Sequence, residues 1–344
     1  MTNKHDFAYS VGLVRTLEAL LLNENEVERM TLATSGKEAF KVLNEFDYSD
    51  NKAGIEDPSE FQKVIDEGLL DIKEVLTKAT PDKKILNLLL HQYDFHNIKT
   101  LIKAKLSDKT YEDVEDLMNE MGAIPLEALR DFIFEGILNP WGIDEHTELY
   151  IKKKIVKVQE LFEKEDRNPQ VIDLYLDQKL MKIVYGIAQD SQSEFLVNYV
   201  KKLIDLSNIR LFFRMKAQEK ELDLYEIAFI WNGKIPYAKL QEAYKHNLAD
   251  FPEVMRPTDY AKIVEEGYKH YKEEKTFIYL EREIENYLID YIRLAKLRAF
   301  GPEPLIAYFL AKKNNALIIR MIMVNKLSDI EPEEIQKRLR KLYA

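Results

Sequence analysis

The sequence contains no cysteine and few residues that make tight turns. Without cysteine, disulfide bonds, thiolate catalysis and cysteine-ligated zinc or iron–sulfur sites are excluded. Glycine and proline number only 11 each among 344 residues, below their usual shares of roughly 7% and 5%. All-β sandwiches and barrels need many tight turns, so this composition excludes them and favours long helices with few connections.

The chain also lacks excess positive charge and any long hydrophobic run. Its formal net charge of −10 argues against a general affinity for nucleic acid or anionic lipid. The longest apolar segments, 85–90 and 317–324, are too short to span a bilayer, and the first residues show no signal peptide. Because 46% of the residues are hydrophobic, the chain has enough apolar material for a sizeable core. We therefore expect a folded cytoplasmic protein.

Motifs of the common enzyme sites are missing as well. The chain has no glycine-rich phosphate loop, no G-x-S-x-G nucleophile elbow and no H-E-x-x-H zinc motif. His91 and His96 are five residues apart, which separates them by about 140° on a helix and suits no shared metal. The acidic run 112–116 lacks the second cluster with which an isoprenoid synthase holds magnesium and diphosphate. We therefore expect no catalytic residue, no metal ligand and no cofactor.

Apolar residues recur at helical spacing through most of the chain. In the segments 7–22 and 61–76 they fall three or four positions apart and form one apolar face. Strand-like alternation of apolar and polar residues does not persist for more than a few positions. The pattern predicts an all-α protein.

The sequence contains an internal repeat. The segment D-F-H-N-I-K at 94–99 recurs as D-L-S-N-I-R at 205–210. The segment G-A-I-P at 122–125 recurs as G-K-I-P at 233–236, the same distance further along the chain. Two separate blocks that share one spacing indicate a duplicated unit rather than chance similarity.

A third copy follows the second at nearly the same distance. The segment K-L-S-D at 105–108 reappears unchanged at 326–329. Units of this length are too long for a solenoid repeat and large enough to hold a core each. We predict three similar helical domains about a pseudo-threefold axis, with a central depression where they meet. Their predicted boundaries are 1–130, 131–241 and 242–344.

Each repeat is predicted to contain one long helix that carries the shared motif. These helices are predicted to begin near residues 81, 192 and 302. Thr80, which precedes a proline, is interpreted as the first N-cap, and Ser191 with Glu194 as a capping box.

The repeated motif places a carboxylate and an amide three residues apart on one helix face. On a partly apolar face these groups need hydrogen-bond partners, so we interpret them as a clasp that caps a neighbouring helix or holds two helices in register. The clasp residues are Asp94, Asn97, Asp205 and Asn208. The cations that follow them are candidates for contact with a partner, although such a basic stripe is more often solvated. They are Lys99, Lys103, Lys105, Arg210, Arg214 and Lys216.

The motifs resemble the C subunit of the V-type (A/V-type) ATP synthases, whose eukaryotic counterpart is the d subunit. Residues 93–99 read Y-D-F-H-N-I-K and match the family's Y-D-x-x-N-[IL]-K. Residues 300–308 read F-G-P-E-P-L-I-A-Y and match its F-G-P-E-P-[IVL]-x-A-Y, in which Gly301 and Pro302 are interpreted as structural. The C-terminal segment is also similar. One departure is the segment 312–315, which reads K-K-N-N where the family carries an acidic run.

The resemblance implies a non-catalytic protein of a rotary complex. It would be a funnel of three helical domains with a central cavity, monomeric within the central rotor. It would receive the end of the central shaft and stand on the cytoplasmic face of the membrane-embedded rotor ring, without inserting into the membrane or binding nucleic acid. In that position it would couple ion translocation to ATP synthesis or hydrolysis.

Two other interpretations stay open on the residues alone. One is a free-standing helical scaffold or adaptor with no enzymatic activity. The other is an all-α enzyme with an unfamiliar site, which the missing motifs disfavour. The scaffold differs from the rotor subunit in its binding partners, because a scaffold of this kind would bind neither shaft nor ring.

Overall fold

A computed structural model describes residues 3–45, 55–164 and 167–344. No β-strand occurs among these residues, so the predicted all-α class is confirmed. The α-helices in chain order are α1 (Ala8–Leu17), α2 (Glu24–Leu32), α3 (Gly36–Glu45), α4 (Phe61–Ala79), α5 (Lys83–Leu106), α6 (Leu126–Arg130), α7 (Glu145–Lys164), α8 (Pro169–Asp190), α9 (Glu194–Ala217), α10 (Leu222–Ala228), α11 (Tyr237–Tyr244), α12 (Phe251–Met255), α13 (Ala261–Glu274), α14 (Ile278–Ile292), α15 (Glu303–Leu327) and α16 (Pro332–Arg338).

The chain divides into two compact units, residues 1–83 with 251–344 and residues 84–250. In the first unit α15 packs against α3 and α4, and α13 packs against α14. In the second unit α8 packs against both α7 and α9. The three domains with a threefold axis remain a prediction from the sequence repeat.

Three long helices lie at the repeated positions, as predicted, and two of them, α5 and α9, carry the aspartate and asparagine of the motif. The three are α5, α9 and α15, and they begin at Lys83, Glu194 and Glu303, within two residues of the predicted starts. Each has buried side chains around most of its circumference, in contrast to the single apolar stripe of a surface helix. These helices therefore lie in the interior of their units.

The C-terminal ends of the three helices are built alike. The second residue after each helix end adopts a left-handed conformation: these residues are Asp108, Glu219 and Asp329, with φ of 55°, 53° and 53°. The next backbone N–H then bonds back to a carbonyl five residues earlier, as in a Schellman motif. These bonds run from Lys109 to Ala104 at 2.9 Å, from Lys220 to Met215 at 3.0 Å and from Ile330 to Asn325 at 3.0 Å. The helix ends therefore recur along the chain with the same spacing as the repeated segments.

The predicted N-caps were wrong in detail. Ser193 rather than Ser191 caps α9, and its hydroxyl accepts the N–H of Leu196 at 3.2 Å. Ser193 has the extended backbone that an N-cap requires, whereas Ser191 still belongs to the end of α8. Thr80 ends α4 instead of starting α5, because its N–H bonds to the carbonyl of Leu76 at 2.9 Å.

None of the helices within the described ranges combines the length and the apolar character needed to cross a bilayer.

Candidate functional site

The first copy of the motif forms a buried clasp between α5 and the loop before α6. Asp94 and Asn97 are completely buried. The Oδ1 of Asp94 accepts the backbone N–H of Ile124 at 2.9 Å, and its Oδ2 lies 2.7 Å from the Nδ1 of His91. The amide of Asn97 binds both backbone groups of Asn119, accepting its N–H and donating to its carbonyl at 2.9 Å each. Two side chains of one helix thus hold a loop that follows the helix in the chain.

The second copy repeats this geometry on α9. The Oδ1 of Asp205 accepts the N–H of Ile235 at 3.0 Å, and its Oδ2 accepts the N–H of Lys234 at 3.1 Å. Asn208 accepts the N–H of Ile230 at 2.9 Å and donates to the carbonyl of that residue at 2.7 Å. Both clasps therefore bind backbone groups at equivalent positions of their repeats.

The glycine of each repeated G-x-I-P segment leaves room for the carboxylate. A Cβ on Gly122 would overlap the Oδ1 of Asp94, and one on Gly233 would overlap the Oδ1 of Asp205. Neither glycine has a positive φ, so the close approach and not the backbone conformation requires glycine here. The aspartate and the glycine of the repeat consequently depend on each other.

The clasps satisfy polar groups that would otherwise be buried without partners. A buried polar atom left without a partner costs about 1–3 kcal/mol, and more if it is charged. In the second clasp the carboxylate of Asp205 and the amide of Asn208 satisfy three backbone N–H groups and one carbonyl. The clasp therefore holds a loop in place. This role is more local than the predicted ones, which were to cap a neighbouring helix or to hold two helices in register.

The third copy holds the equivalent segment in another way. Here α15 has Asn315 and Ile318 at the positions of Asp205 and Asn208. The backbone of Lys341 is held by two amides from two helices: Asn286 of α14 accepts its N–H and Asn314 of α15 donates to its carbonyl, each at 2.8 Å. Sequence reasoning missed this arrangement, because neither asparagine lies at a position of the repeated motif.

Asn315 serves a different segment of its own unit. In the amide orientation that satisfies both of its polar atoms, its oxygen accepts the N–H of Leu22 at 2.8 Å. The third copy of the helix is thereby tied to the chain segment that precedes α2.

The cations of the first copy all have partners within the chain. Lys99 pairs with Asp177 at 2.8 Å and Lys103 pairs with Asp173 at 2.6 Å, both on α8. Lys105 donates to the carbonyl of Ile133. These contacts join α5 to its neighbours in the same unit, and a role in contact with another protein remains a prediction.

The cations of the second copy lie on the equivalent face of α9. Lys216 donates to the carbonyl of Tyr244 at 3.0 Å, and its Nζ lies 5.0 Å from the centre of that ring. Arg210 and Arg214 line a cavity of about 310 Å³ whose wall also includes Asp177 and Met181 of α8. Partner contact through these two arginines likewise remains a prediction.

Gly301 and Pro302 begin the third long helix. Gly301 has a φ of 101°, a conformation that favours glycine because glycine has no Cβ. The N–H of Gly301 donates to the carbonyl of Lys4 at 3.1 Å. Pro302 immediately precedes the first residue of α15, where its fixed φ and missing N–H suit a helix start. Both residues are buried, so they position the chain entering α15.

The two histidines near the motif have separate partners. His91 is completely buried beside Asp94, whereas His96 is exposed and its Nε2 lies 3.1 Å from the carbonyl of Leu117. Across the residues with described positions, no three His, Asp or Glu side chains are grouped so that they would hold a metal ion.

The chain is similar in sequence to known proteins over almost its whole length. The family described as ATP synthase (C/AC39) subunit matches residues 10–338. The chain belongs to this family. The resemblance carried by residues 93–99 and 300–308 is thereby confirmed.

Relatives within the family share about a quarter of the residues. The C subunit of the A-type ATP synthase of Methanocaldococcus jannaschii is 24% identical, and the match covers 97% of this chain and 86% of that protein. The C subunit of the V-type sodium ATPase of Enterococcus hirae is 25% identical over 78% of each chain. The C subunit of the A-type ATP synthase of Pyrococcus furiosus is 25% identical over 96% of this chain and 89% of that protein.

Proposed function

We propose that this chain is a non-catalytic central-stalk subunit of an A/V-type ATPase or ATP synthase. It acts as a socket that joins the rotating central shaft to the membrane rotor ring, so that ion translocation is linked to ATP synthesis or hydrolysis. The observation that carries the proposal is the family match from residue 10 to residue 338, together with relatives that are C subunits of an A-type ATP synthase and of a V-type sodium ATPase.

The internal construction supports a mechanical role. A coupling element must transmit torque without yielding, and long buried helices resist bending better than loops do. The clasps of Asp94 with Asn97 and of Asp205 with Asn208 lock the loops that follow two of these helices. The proposed arrangement is three helical domains, 1–130, 131–241 and 242–344, around a central cavity that receives the shaft.

The proposed location follows from the same role. The chain would be peripheral to the membrane, on its cytoplasmic face, and would be held there through the rotor ring. One copy would serve each complex, because a single shaft occupies a single socket.

Removal and restoration of the chain tests coupling directly. In membrane vesicles that contain the whole complex, removal of this chain should leave ATP hydrolysis by the catalytic head while ATP-driven ion transport is lost. Purified chain added back should restore transport. If transport persists without the chain, or if hydrolysis is lost together with the chain and returns with it, the coupling role is wrong.

Co-purification tests the proposed partners. Tagged chain isolated from its own cells should bring down both the shaft proteins and the ring protein. Recovery of neither would favour the alternative, a free-standing helical scaffold. Recovery of shaft proteins without the ring would contradict the socket and indicate a role confined to the shaft.

A further inference from the structure

Three lysines lie together on the surface formed by α7 and α8. They are Lys154 of α7 and Lys179 and Lys182 of α8, and we call them the lysine surface. Across the described ranges, no ion pair joins a carboxylate to any of the three. Glu160, a carboxylate in the same region, pairs with Lys157 at 2.9 Å. Like charges repel one another, and negative charge supplied by another molecule would relieve that repulsion.

Aromatic rings lie beneath these ammonium groups. The Nζ of Lys154 and of Lys182 lie 5.0 and 5.5 Å from the centre of the Tyr150 ring, and the Nζ of Lys179 lies 4.5 Å from the Tyr175 ring. A cation over a ring face is attracted by the ring quadrupole, which holds the flexible side chain in place. The lysine surface is therefore more ordered than three free lysines would be.

The second clasp adds a tryptophan to this surface. Asn208 holds both backbone groups of Ile230, and Gln178 donates to the carbonyl of Phe229 at 2.7 Å. Trp231 follows Ile230 on this loop, and 51% of its surface is exposed. An exposed tryptophan on a rigid loop is unusual for a residue of this size and is common in binding surfaces.

The tryptophan and two of the lysines enclose a cavity. Its volume is about 320 Å³, and its lining consists of Gln178, Lys179, Lys182, Trp231 and Asn232. Polar amides, ammonium groups and one large ring therefore converge on the same concave space. In the first copy of the repeat the position of Trp231 is occupied by Glu120, so the surface is specific to the second copy.

The pKa of Lys179 also favours binding of an acidic group at this surface. Burial, followed by the charges of Lys154 and Lys182, lowers the pKa of the Lys179 ammonium group. A bound carboxylate would offset this repulsion, so binding of an acidic group is favoured here despite the chain's overall charge of −10.

We propose that the lysine surface, together with Trp231 and Asn232, is a docking site for an acidic segment of a partner protein. The length of this surface favours a peptide over a small anion, because the surface runs from Lys154 on α7 across α8 to the loop that holds Trp231. The ring of Trp231 offers an apolar contact between the charges, which suits a chain of alternating acidic and apolar side chains. The proposal does not depend on the rotor role, since the isolated chain suffices to test it.

A labelled ten-residue peptide of alternating glutamate and alanine is the probe for this site. It should bind the full chain at low ionic strength, lose affinity as salt is raised and protect Trp231 from quenching by acrylamide. Trp141 does not interfere with that signal, because it is completely buried. The double variant Lys179→Gln/Lys182→Gln should weaken binding at least about fivefold, and Trp231→Ala should weaken it less.

A matched control has the same change in charge. Lys153 and Lys164 are exposed on α7, so Lys153→Gln/Lys164→Gln removes two positive charges elsewhere on that helix. This control should change affinity less than twofold. Equal losses in both double variants, or no binding of the peptide, would overturn the proposal. Binding of inorganic phosphate or ATP in place of the peptide would overturn it too, in favour of a phosphate site.

Discussion

The second and third copies of the repeated helix hold the following segment by different means. In α9 the side chains of Asp205 and Asn208 bind the backbone between Ile230 and Ile235 from one helix. The equivalent segment after α15 is held at Lys341 by amides from two helices. The helices themselves and their left-handed ends are nevertheless alike in both copies.

The difference separates what the repeated helix requires from what its side chains add. A buried carboxylate needs several donors and space, which explains the two N–H groups and the glycine around Asp205. A neutral amide needs fewer partners. At the position equivalent to Gly233 the third copy has Tyr343, a completely buried ring for which the clasp would leave no room. The helix end therefore tolerates exchange of the polar contacts, whereas aspartate and glycine have to change together.

The largest effect is expected from removal of the second clasp. Asp205→Ala/Asn208→Ala leaves three N–H groups and one carbonyl without partners, most of them buried, and should lower the free energy of unfolding by about 3–5 kcal/mol. Thermal and urea unfolding followed by circular dichroism measure the change.

The matched variant in the third copy is Asn286→Ala/Asn314→Ala. It should destabilise by no more than about 1–2 kcal/mol, because Lys341 is exposed and water replaces the lost partners. Equal losses in the two copies would refute the distinction between them. Unchanged stability of the first double variant, with loss of binding to shaft proteins, would make its residues an interface instead.

Gly233→Ala should be the next most damaging change. The added methyl group overlaps the Oδ1 of Asp205 and comes within 3.1 Å of Ile204, so a loss of about 1–3 kcal/mol is expected. Gly186→Ala is the control: its Cβ has open space within α8, and it should raise stability by roughly 0.5–1 kcal/mol.

The dependence of Gly233 on Asp205 can be measured in a double-mutant cycle. In an Asp205→Ala background, the further change Gly233→Ala should cost much less, because the overlapping oxygen is gone. Additive losses would mean that the glycine has some other role.

Lys313 of α15 predicts a pH dependence that belongs to the third copy. Burial lowers the pKa of its ammonium group to about 8, while Glu285 partly opposes the shift. Between pH 8 and 10.5 Lys313 is therefore less protonated in the folded state than in the unfolded state, so the contribution of Lys313 to stability rises with pH in this range. From pH 8 to pH 9 this contribution rises by about 1 kcal/mol. It is measured as the difference between the unmutated chain and Lys313→Met, because buried tyrosines whose pKa values are raised titrate in the opposite direction as the pH approaches 10.

Urea unfolding at several pH values measures this gain. The variant Lys313→Met should flatten the rise in unfolding free energy, whereas Lys337→Met, at an exposed lysine of α16, should leave it in place. A rise that persists in Lys313→Met would assign the titration to another group.

The smallest effects are expected at the shared helix ends. Glu219 adopts a left-handed conformation that glycine enters without strain, so Glu219→Gly should raise stability by about 0.5–1 kcal/mol. Asp108→Gly and Asp329→Gly should act in the same direction but less strongly, since aspartate tolerates this conformation better. Melting temperatures measure all three, and a loss of stability at any one end would show that the ends are not equivalent.

Much of the fold could be predicted from repeated sequence. The regular distance between the repeated segments correctly located α5, α9 and α15. This was possible because the local spacing of apolar residues indicates where a helix runs and which of its residues are buried. The polar motif also pointed to buried Asp94 and Asn97, since such groups on an apolar face must find partners. Cap positions were less predictable: Ser191 and Ser193 are both suitable residues, and only the backbone conformation decides between them.

The sequence by itself determined the all-helical class, the repeated long helices and the family. These follow from composition, spacing and residue identity, which need no knowledge of distant contacts. Only the tertiary structure decided which backbone groups the clasps bind, why Gly122 and Gly233 have no side chain, and that Asn286 and Asn314 replace the clasp in the third copy. These contacts join residues that are far apart in the chain, and a local pattern does not record which distant groups meet when the chain is packed.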